Sequence, residues 1–458
     1  MTIELSSEIF RQYDIRGLVG NDLTNEAVYW IGRAAGTKIA RAGGRNAAVG
    51  WDHRESSLGF SERLAKGLSE CGLDVMMIGQ CPTPVLYFAI YHLSAGGGLM
   101  ITGSHNPPEF NGLKVNIGTE TLYGDQIMGL REMILSGDLV NREPGKIESV
   151  DATGPYIDCL TKNVALGRPL SVVIDAGHGV AGPVAPKILE QLGCHVHCLY
   201  CDVDSTFPDH HPDPAVPENL KDMIEKVRSS GADVGLAFDG DADRLGVVDE
   251  TGAIIWGDQL LAIYARDILA AKPGGKVIFD VKASELVEQV VAAAGGVPIM
   301  SRTGHSYIKE RLRQEGALVG GEVSGHLFFA DRYFGFDDAI YAALRLVELL
   351  SKTENKLSRL LDQLPKYIAT PEYRVECDDG RKFAIVQELA DYFARDHEVI
   401  TIDGARVKLD GGWGLVRASN TQPALGLRFE AATQDKLDNI VSMFRVALKE
   451  QAGLELEA

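Results

Sequence analysis

One pattern, met three times along the chain, constrains the fold more than any other feature. A short apolar run ends at an acidic residue at positions 47–52, 172–175 and 277–280. After each comes a small or polar stretch and a helix-like segment closing on glycine, over 61–72, 183–193 and 284–295. A second apolar run follows, over 73–79, 194–200 and 297–300. Strand, helix, strand with no tight hairpin is the mark of a parallel βαβ unit. A third apolar run then empties into a glycine-rich polar loop: 98–101 into 102–107, 234–238 into 239–244, and 317–319 into 320–326. In open α/β sheets ligands bind beyond the carboxyl ends of strands. These three loops are therefore expected to carry the chemistry.

The last ninety or so residues lack the pattern. They read as short strands over 370–376, 398–402, 414–418 and 424–430 with helices over 381–395 and 434–451, a small α+β domain. Breaks near 141–153, 249–257 and 365–371 divide the 458 residues into expected domains 1–150, 151–253, 254–366 and 367–458. The fold class expected is α/β: three related mixed α/β domains, their loops expected to face a shared cleft, plus a smaller C-terminal α+β domain.

Charge and cysteine content narrow the function. The net charge of −19 argues against nucleic acid or an anionic membrane as principal partner. An anionic substrate must then meet a local basic pocket. No apolar run reaches the roughly 18 residues of a membrane span, and the first residues have neither the basic start nor the apolar core of a signal peptide. Seven scattered cysteines do not resemble a secreted disulfide framework. The expectation is a monomer in the reducing cytoplasm, with no nucleic-acid or membrane partner.

Two features resemble sites and are read otherwise. Cys194, His195, His197, Cys198 and Cys201 have metal-ligand types, but as a strand they point to alternate faces, which splits them. Residues 177–182 form G-x-G-x-x-G after a strand, with Asp202 and Asp204 about twenty residues on, as a dinucleotide fingerprint requires. The motif sits in the second of three similar units, however, and residues 50–53 of the first have no such glycines. Tight helix–strand contact is the preferred reading; an NAD-dependent dehydrogenase is the distant alternative.

The loops carry more. Asp239, Asp241 and Asp243 place three carboxylates within five residues, which repel one another unless a cation sits among them. Oxygen-only ligands suit a hard cation, most simply Mg2+ working with a phosphate. An EF-hand is set aside because Arg244 stands where that loop needs glycine; a solvated acidic turn, or a calcium-responsive protein using the aspartates, stays as the alternative. Ser104 is no nucleophile elbow, since Thr102 occupies the first glycine position of G-x-S-x-G. It is either a turn serine bonded to its own backbone or a hydroxyl exposed for phosphorylation. Beside a metal-type loop the second gains weight, because a phosphoserine would help complete a Mg2+ shell. The loop Arg417-Ala418-Ser419-Asn420-Thr421 offers a guanidinium, two hydroxyls and an amide, the parts of a phosphate clamp; the alternative is an ordinary polar turn.

In combination, Thr102-Gly103-Ser104-His105-Asn106-Pro107, Asp239-Gly240-Asp241-Ala242-Asp243-Arg244, Gly321-Glu322-Val323-Ser324-Gly325-His326 and Arg417-Ala418-Ser419-Asn420-Thr421 resemble, in that order, the motifs of the α-D-phosphohexomutase superfamily, in its bacterial phosphomannomutase/phosphoglucomutase branch. The resemblance spans nearly the whole chain and implies four domains around a central cleft. It implies a phosphoserine at Ser104 and a Mg2+ site at Asp239, Asp241 and Asp243 with the serine phosphate. It further implies sugar-hydroxyl contacts from Glu322 and Ser324, a loop sensing sugar orientation at Thr303, Gly304 and His305, and a clamp on the non-reacting phosphate from Arg417, Ser419, Asn420 and Thr421. Tyr13, Arg16, Lys114, Arg244, Lys282 and His326 match residues near the transferring group. Arg16, Lys114, Arg244 and His326 are expected to serve catalysis, with Lys114 or His326 as general acid/base.

The activity implied is interconversion of hexose 1- and 6-phosphates of glucose and mannose through a 1,6-bisphosphate, which also serves as activator. The alternative within the superfamily is a phosphoglucosamine mutase, against which the Glu322-Val323-Ser324 triplet argues. Turning the intermediate implies a last domain that swings at 365–371. One departure stands out: the superfamily's metal loop reads glycine where this chain has Ala242, a substitution tolerable unless the position needs positive φ.

Overall fold

The computed structural model describes residues 5–419 and 423–456. The chain forms two compact units, Met1–Gly257 with Ser324–Leu360, and Asp258–Val323 with Leu361–Ala458. None of the described helices is long and apolar enough to cross a membrane.

The first unit holds two mixed sheets. In one, strand Asn46–Trp51 lies between Asp74–Gln80 and Gly97–Ile101, parallel to both. In the other, Ser171–Asp175 lies between His195–Leu199 and Val234–Phe238, again parallel to both. These are the repeated units read from the sequence, and their Val- and Ile-rich runs suit strands buried on both faces. Each continues in a way the repeat did not reveal: after its loop the chain returns antiparallel, as Phe110–Ile117 beside Gly97–Ile101 and as Leu245–Asp249 beside Val234–Phe238. The return strands fix both ends of each loop. The connecting helices are Ser57–Ser69 and Ala185–Gln191, and each ends two or three residues before the glycine expected to close it.

In the second unit, Lys276–Asp280 is flanked in parallel by Val297–Ser301 and Val319–Gly321, with helix Glu285–Ala293 between the first two. The last domain is an antiparallel sheet in the order Ile368–Ala369, Ala424–Ala431, Gly412–Ala418, Ala405–Leu409, Val399–Ile400. Helices Lys382–Phe393 and Gln434–Ala452 bury Leu389, Phe393, Ile440 and Phe444 against it. Strand Ala405–Leu409 was not expected, although Asp410-Gly411, a two-residue hairpin connection, is its sequence signal. Arg406 on this strand donates to the carbonyls of Val281 and Ala283 at 2.7 and 2.8 Å, which ties the last domain to the third.

The two look-alike sites resolve as packing. Residues 195–199 are a strand, and Cys194 is buried while Cys198 is exposed. Of the fingerprint glycines, Gly182 approaches the Cys201 carbonyl so closely that a Cβ would lie 2.0 Å from its oxygen, and one on Gly179 would meet the Gly240 carbonyl at 2.8 Å. Other segments of the chain fill the space a dinucleotide would need.

Candidate active site

Two loops of the first unit meet at Ser104. The chain leaves strand Gly97–Ile101 and turns sharply, with Ser104 in the left-handed region at φ 47°. Left-handed backbone costs an L-residue about 1–2 kcal/mol, so surrounding contacts must hold it there. The Ser104 N–H donates to Thr102 Oγ1 at 2.8 Å, and its Oγ donates to Asp239 Oδ2 at 2.7 Å. The approach depends on Gly240, where a Cβ would sit 2.4 Å from the Ser104 carbonyl oxygen. His105 Nδ1 lies 3.0 Å from the Ser104 hydroxyl.

Asp239, Asp241 and Asp243 are fully buried, with carboxylate oxygens within 4.8 Å of one another. Their loop curls because Asp239 Oδ1 accepts the N–H groups of Asp243 and Arg244 at 3.0 and 3.1 Å. Lys114, buried on return strand Phe110–Ile117, donates to Asp241 Oδ2 at 2.8 Å and to Asp243 Oδ2. Thr83 Oγ1 also donates to Asp241 Oδ2 at 2.7 Å.

The charges act on one another. Burial, then the Asp243 and Asp241 charges, push the Asp239 carboxyl well above the usual carboxylate range. Burial also opposes ionisation of Asp243, yet the Lys114 ammonium and then His326 hold its carboxyl well below that range. Burial works against the Lys114 ammonium as well, and the Asp241 and Asp243 charges outweigh it, lifting Lys114 well above its ordinary value. Among the described residues, the buried oxygens Asp241 Oδ1 and Asp243 Oδ1 accept no hydrogen bond. An all-oxygen set that keeps buried oxygens without a hydrogen bond fits a hard divalent cation.

The same unit gathers further expected residues. Arg244 Nε lies 3.3 Å from His326 Nε2, which lies 3.4 Å from Asp243 Oδ1, and Ser324 Oγ is 3.0 Å from His326 Nδ1. Arg16 reaches the serine loop through Asn106 Oδ1 and pairs with Asp14 at 2.6 Å. Tyr13 is half-buried three residues before Arg16. Asp337 joins Asp243 and His326 in a second buried group of metal-ligand types.

The second unit gathers another set. Thr303 Oγ1 donates to Asp280 Oδ2 at 3.1 Å, its N–H to Asp403 Oδ2 at 3.1 Å, and the Gly304 N–H to Glu322 Oε1 at 2.5 Å. His305 is buried at the start of helix His305–Glu315. Arg417 pairs with Asp403 at 2.7 Å and Lys282 with Glu372 at 3.1 Å. Burial, then the Glu322 charge, push Asp280 up to about 6. The Ser419 N–H donates to the Ala424 carbonyl at 2.9 Å, while Asn420 and Thr421 lie outside the described residues.

Sequence reasoning missed Arg54, Thr83, Asp337, Asp403 and Glu372. Each stands alone in its segment, without a motif, and gains meaning only from residues tens or hundreds of positions away.

Comparison with known proteins agrees with this geometry. Four domain families match in succession: phosphoglucomutase/phosphomannomutase alpha/beta/alpha domain I over residues 7–134, domain II over 154–252, domain III over 256–367, and the C-terminal domain over 372–447. A phosphomannomutase/phosphoglucomutase of Pseudomonas aeruginosa is 48% identical over 446 residues, covering 97% of this chain and 96% of its own. A phosphoglucomutase of Neisseria gonorrhoeae is 45% identical over 454 residues, 98% of each chain. The crystal structure of a phosphoglucomutase/phosphomannomutase family protein from Burkholderia thailandensis superposes with a TM-score of 0.94 at 41% identity, covering 99% of this chain and all of that one. Four matched domains in unbroken order, shared with relatives over almost their entire length, mean that the chain belongs to the phosphoglucomutase/phosphomannomutase family.

Proposed function

We propose that this protein is a phosphohexomutase that interconverts the 1- and 6-phosphates of glucose and mannose, with Ser104 as phosphoryl carrier. The observation that carries the reading is the Ser104 hydroxyl, 2.7 Å from one of three clustered buried carboxylates on a neighbouring loop. In the first half-reaction the free hydroxyl of a hexose phosphate attacks the phosphorus on Ser104. A new O–P bond forms, the Ser104 Oγ–P bond breaks, and the hydroxyl proton passes to a protein group. The resulting 1,6-bisphosphate turns end for end, and its other phosphate returns to Ser104 by the reverse step. The same bisphosphate would rephosphorylate a free serine and so act as activator.

Asp239, Asp241 and Asp243 would hold a divalent cation, most simply Mg2+, together with the serine phosphate. When bound, that ion supplies charge neutralisation at the phosphoryl oxygens. Arg16, Arg244 and Lys114 spread the remaining negative charge. Lys114 and His326 both contact Asp243 and are the groups at hand for proton transfer. Tyr13 would line the reacting end of the site. Lys282 would stand near the transferring group, Glu322 and Ser324 would read sugar hydroxyls, Thr303, Gly304 and His305 the orientation of the ring, and Arg417, Ser419, Asn420 and Thr421 the non-reacting phosphate. Contacts of this kind need not sense C2, where glucose and mannose differ, so weak discrimination between the two is expected.

The test is direct. Ser104→Ala should abolish turnover and leave the fold intact, and intact-protein mass measurement should find one phosphoryl group on wild type and none on the variant. Label recovered on another residue would overturn the assignment. A preference for glucosamine 6-phosphate over mannose 1-phosphate would move the protein to the phosphoglucosamine branch.

A further inference from the structure

We propose that Arg54 is the positioning residue of the Ser104 loop: its buried guanidinium gathers the loop's carbonyl groups and so holds the serine in the backbone conformation that presents its hydroxyl to the acidic triad. The proposal rests on the reading of Ser104 as phosphoryl carrier.

Arg54 lies in the short connection between strand Asn46–Trp51 and helix Ser57–Ser69 and is 3% exposed. Its Nη2 donates to the carbonyls of Ser104 at 2.9 Å and Asn106 at 2.5 Å, and its Nη1 to those of Pro107 at 2.7 Å and Phe110 at 2.8 Å. One cation therefore binds four peptide oxygens along the loop. Asp52 completes the arrangement. Its Oδ2 stands 3.3 Å from Arg54 Nε and accepts the Gly103 N–H at 3.0 Å, while Oδ1 accepts the Arg54 N–H at 3.0 Å and the Ser57 hydroxyl at 2.5 Å. The fit is close enough that a Cβ on Gly103 would lie 2.3 Å from Arg54 Nε.

The physical consequence concerns Ser104 itself. A left-handed non-glycine residue persists only where its surroundings over-determine it. Here the carbonyl side is held by Arg54 and the N–H side by Thr102 Oγ1. A carbonyl oxygen bound to the guanidinium is also withheld from a phosphoryl group, which its partial negative charge would repel. Only a planar fork with five donors reaches four acceptors in this way; an ammonium, a point charge with three rotatable donors, does not.

The experiment compares Arg54→Lys and Arg54→Ala with wild type. The expected result is a fall in kcat of about 10-fold for Arg54→Lys and about 100-fold for Arg54→Ala, the scale of a reacting group misplaced by an ångström. KM for the hexose phosphate should stay within about threefold, because the residue acts through the loop and not on substrate binding. Guanidinium ion at tens of millimolar should restore Arg54→Ala at least about 10-fold, and methylammonium at the same ionic strength should not, since only the former supplies the planar fork. A merely structural arginine would show neither the kcat-against-KM split nor this selective rescue. Should Arg54→Ala fail to fold, Arg54→Lys carries the test, with Gly103→Ala expected to match its kcat loss by crowding the guanidinium. Folded Arg54→Lys with wild-type kcat would overturn the proposal, as would loss of activity with equal response to both rescue ions. Labelling with a phosphoryl-labelled hexose bisphosphate separates the two readings. Wild type that never labels at Ser104 sinks the mutase reading, whereas labelled wild type with unaffected Arg54 variants sinks only this one.

Discussion

The site residues of the two units pair their buried charges differently. In the first, Asp241 and Asp243 share one ammonium, Lys114, and the Oδ1 of each accepts no hydrogen bond among the described residues, with His326 Nε2 3.4 Å from that of Asp243. In the second, two cations are paired one to one, Arg417 with Asp403 and Lys282 with Glu372, and the carboxylates Asp280 and Glu322 accept from Thr303 and Gly304, leaving Asp280 Oδ1 without a hydrogen bond among the described residues. Backbone strain divides the same way. Among the described residues the non-glycine positions with positive φ are Ser94, Ser104, His178, Tyr200, Phe207 and Ala242, all in the first unit. An under-compensated, strained cluster is suited to receive a cation and a transferring group. A pre-paired set is suited to exchange partners with an arriving ligand, as Arg417 would on leaving Asp403 for a phosphate. On the proposed reading, the difference separates chemistry from recognition.

Kinetics break or sharpen that comparison most strongly. Asp241→Asn should lower kcat by about 1,000-fold while KM stays within about threefold, the signature of an interaction felt mainly in the transition state. Arg417→Ala should do the reverse, raising KM by about 30- to 100-fold, the value of a lost charge-assisted phosphate contact, with a smaller change in kcat. Steady-state rates on glucose 1-phosphate with saturating Mg2+ read both. If Arg417→Ala spares KM and depresses kcat, the division between the units is wrong.

A smaller effect concerns stability in the second unit. Burial and Glu322 raise Asp280 from 3.8 to about 6, so the folded state holds this proton more tightly than the unfolded chain. The stability so contributed is complete below about pH 4 and is lost as pH rises through about 6, on the order of 2–3 kcal/mol in all. Asp280→Asn carries no such titration. Its urea midpoint, measured against wild type, should therefore improve between pH 4 and pH 7. A difference independent of pH would remove Asp280 as a titrating group.

Legibility in the sequence cuts across the two units. The repeated α/β units were readable because buried parallel strands are continuous apolar runs, and the serine and aspartate loops because their functional groups lie within a few consecutive residues. The antiparallel return strands were not, since residues 110–117 mix apolar with polar positions and include the buried Lys114, whose partners lie more than 120 positions on. Arg54 was illegible for a more basic reason: its partners are backbone carbonyls, which every residue possesses, so nothing in the partners' identities marks the contact. Asp403 and Glu372 each answer a single distant cation. At the expected hinge, 365–371, Ile368–Ala369 pairs with Ala424–Ala431 of the last domain's own sheet, and Arg406 binds Val281 and Ala283 of the third.

The smallest effect lies in the metal loop and tests whether strain there is real. Ala242 has φ 62°, so the position does require the left-handed conformation that glycine adopts freely. Its N–H donates to the Asp239 carbonyl at 3.0 Å and its carbonyl accepts from Ala339 N at 3.3 Å, and this fixes it between the first and last aspartates of the triad. Replacement by glycine removes about 1–2 kcal/mol of native strain and returns part of that through the greater freedom of the unfolded chain. Ala242→Gly should thus stabilise the protein by about 0.5–1 kcal/mol, with kcat within about twofold. Ala343, in the middle of helix Ala339–Ser351, supplies the matched control, because alanine to glycine there should destabilise by about 1 kcal/mol. Opposite signs from the same chemical change would locate the strain at the aspartate loop. Equal destabilisation at both sites would mean that the loop accepts alanine without cost, and that the contrast in backbone strain between the two units does not extend to the metal site.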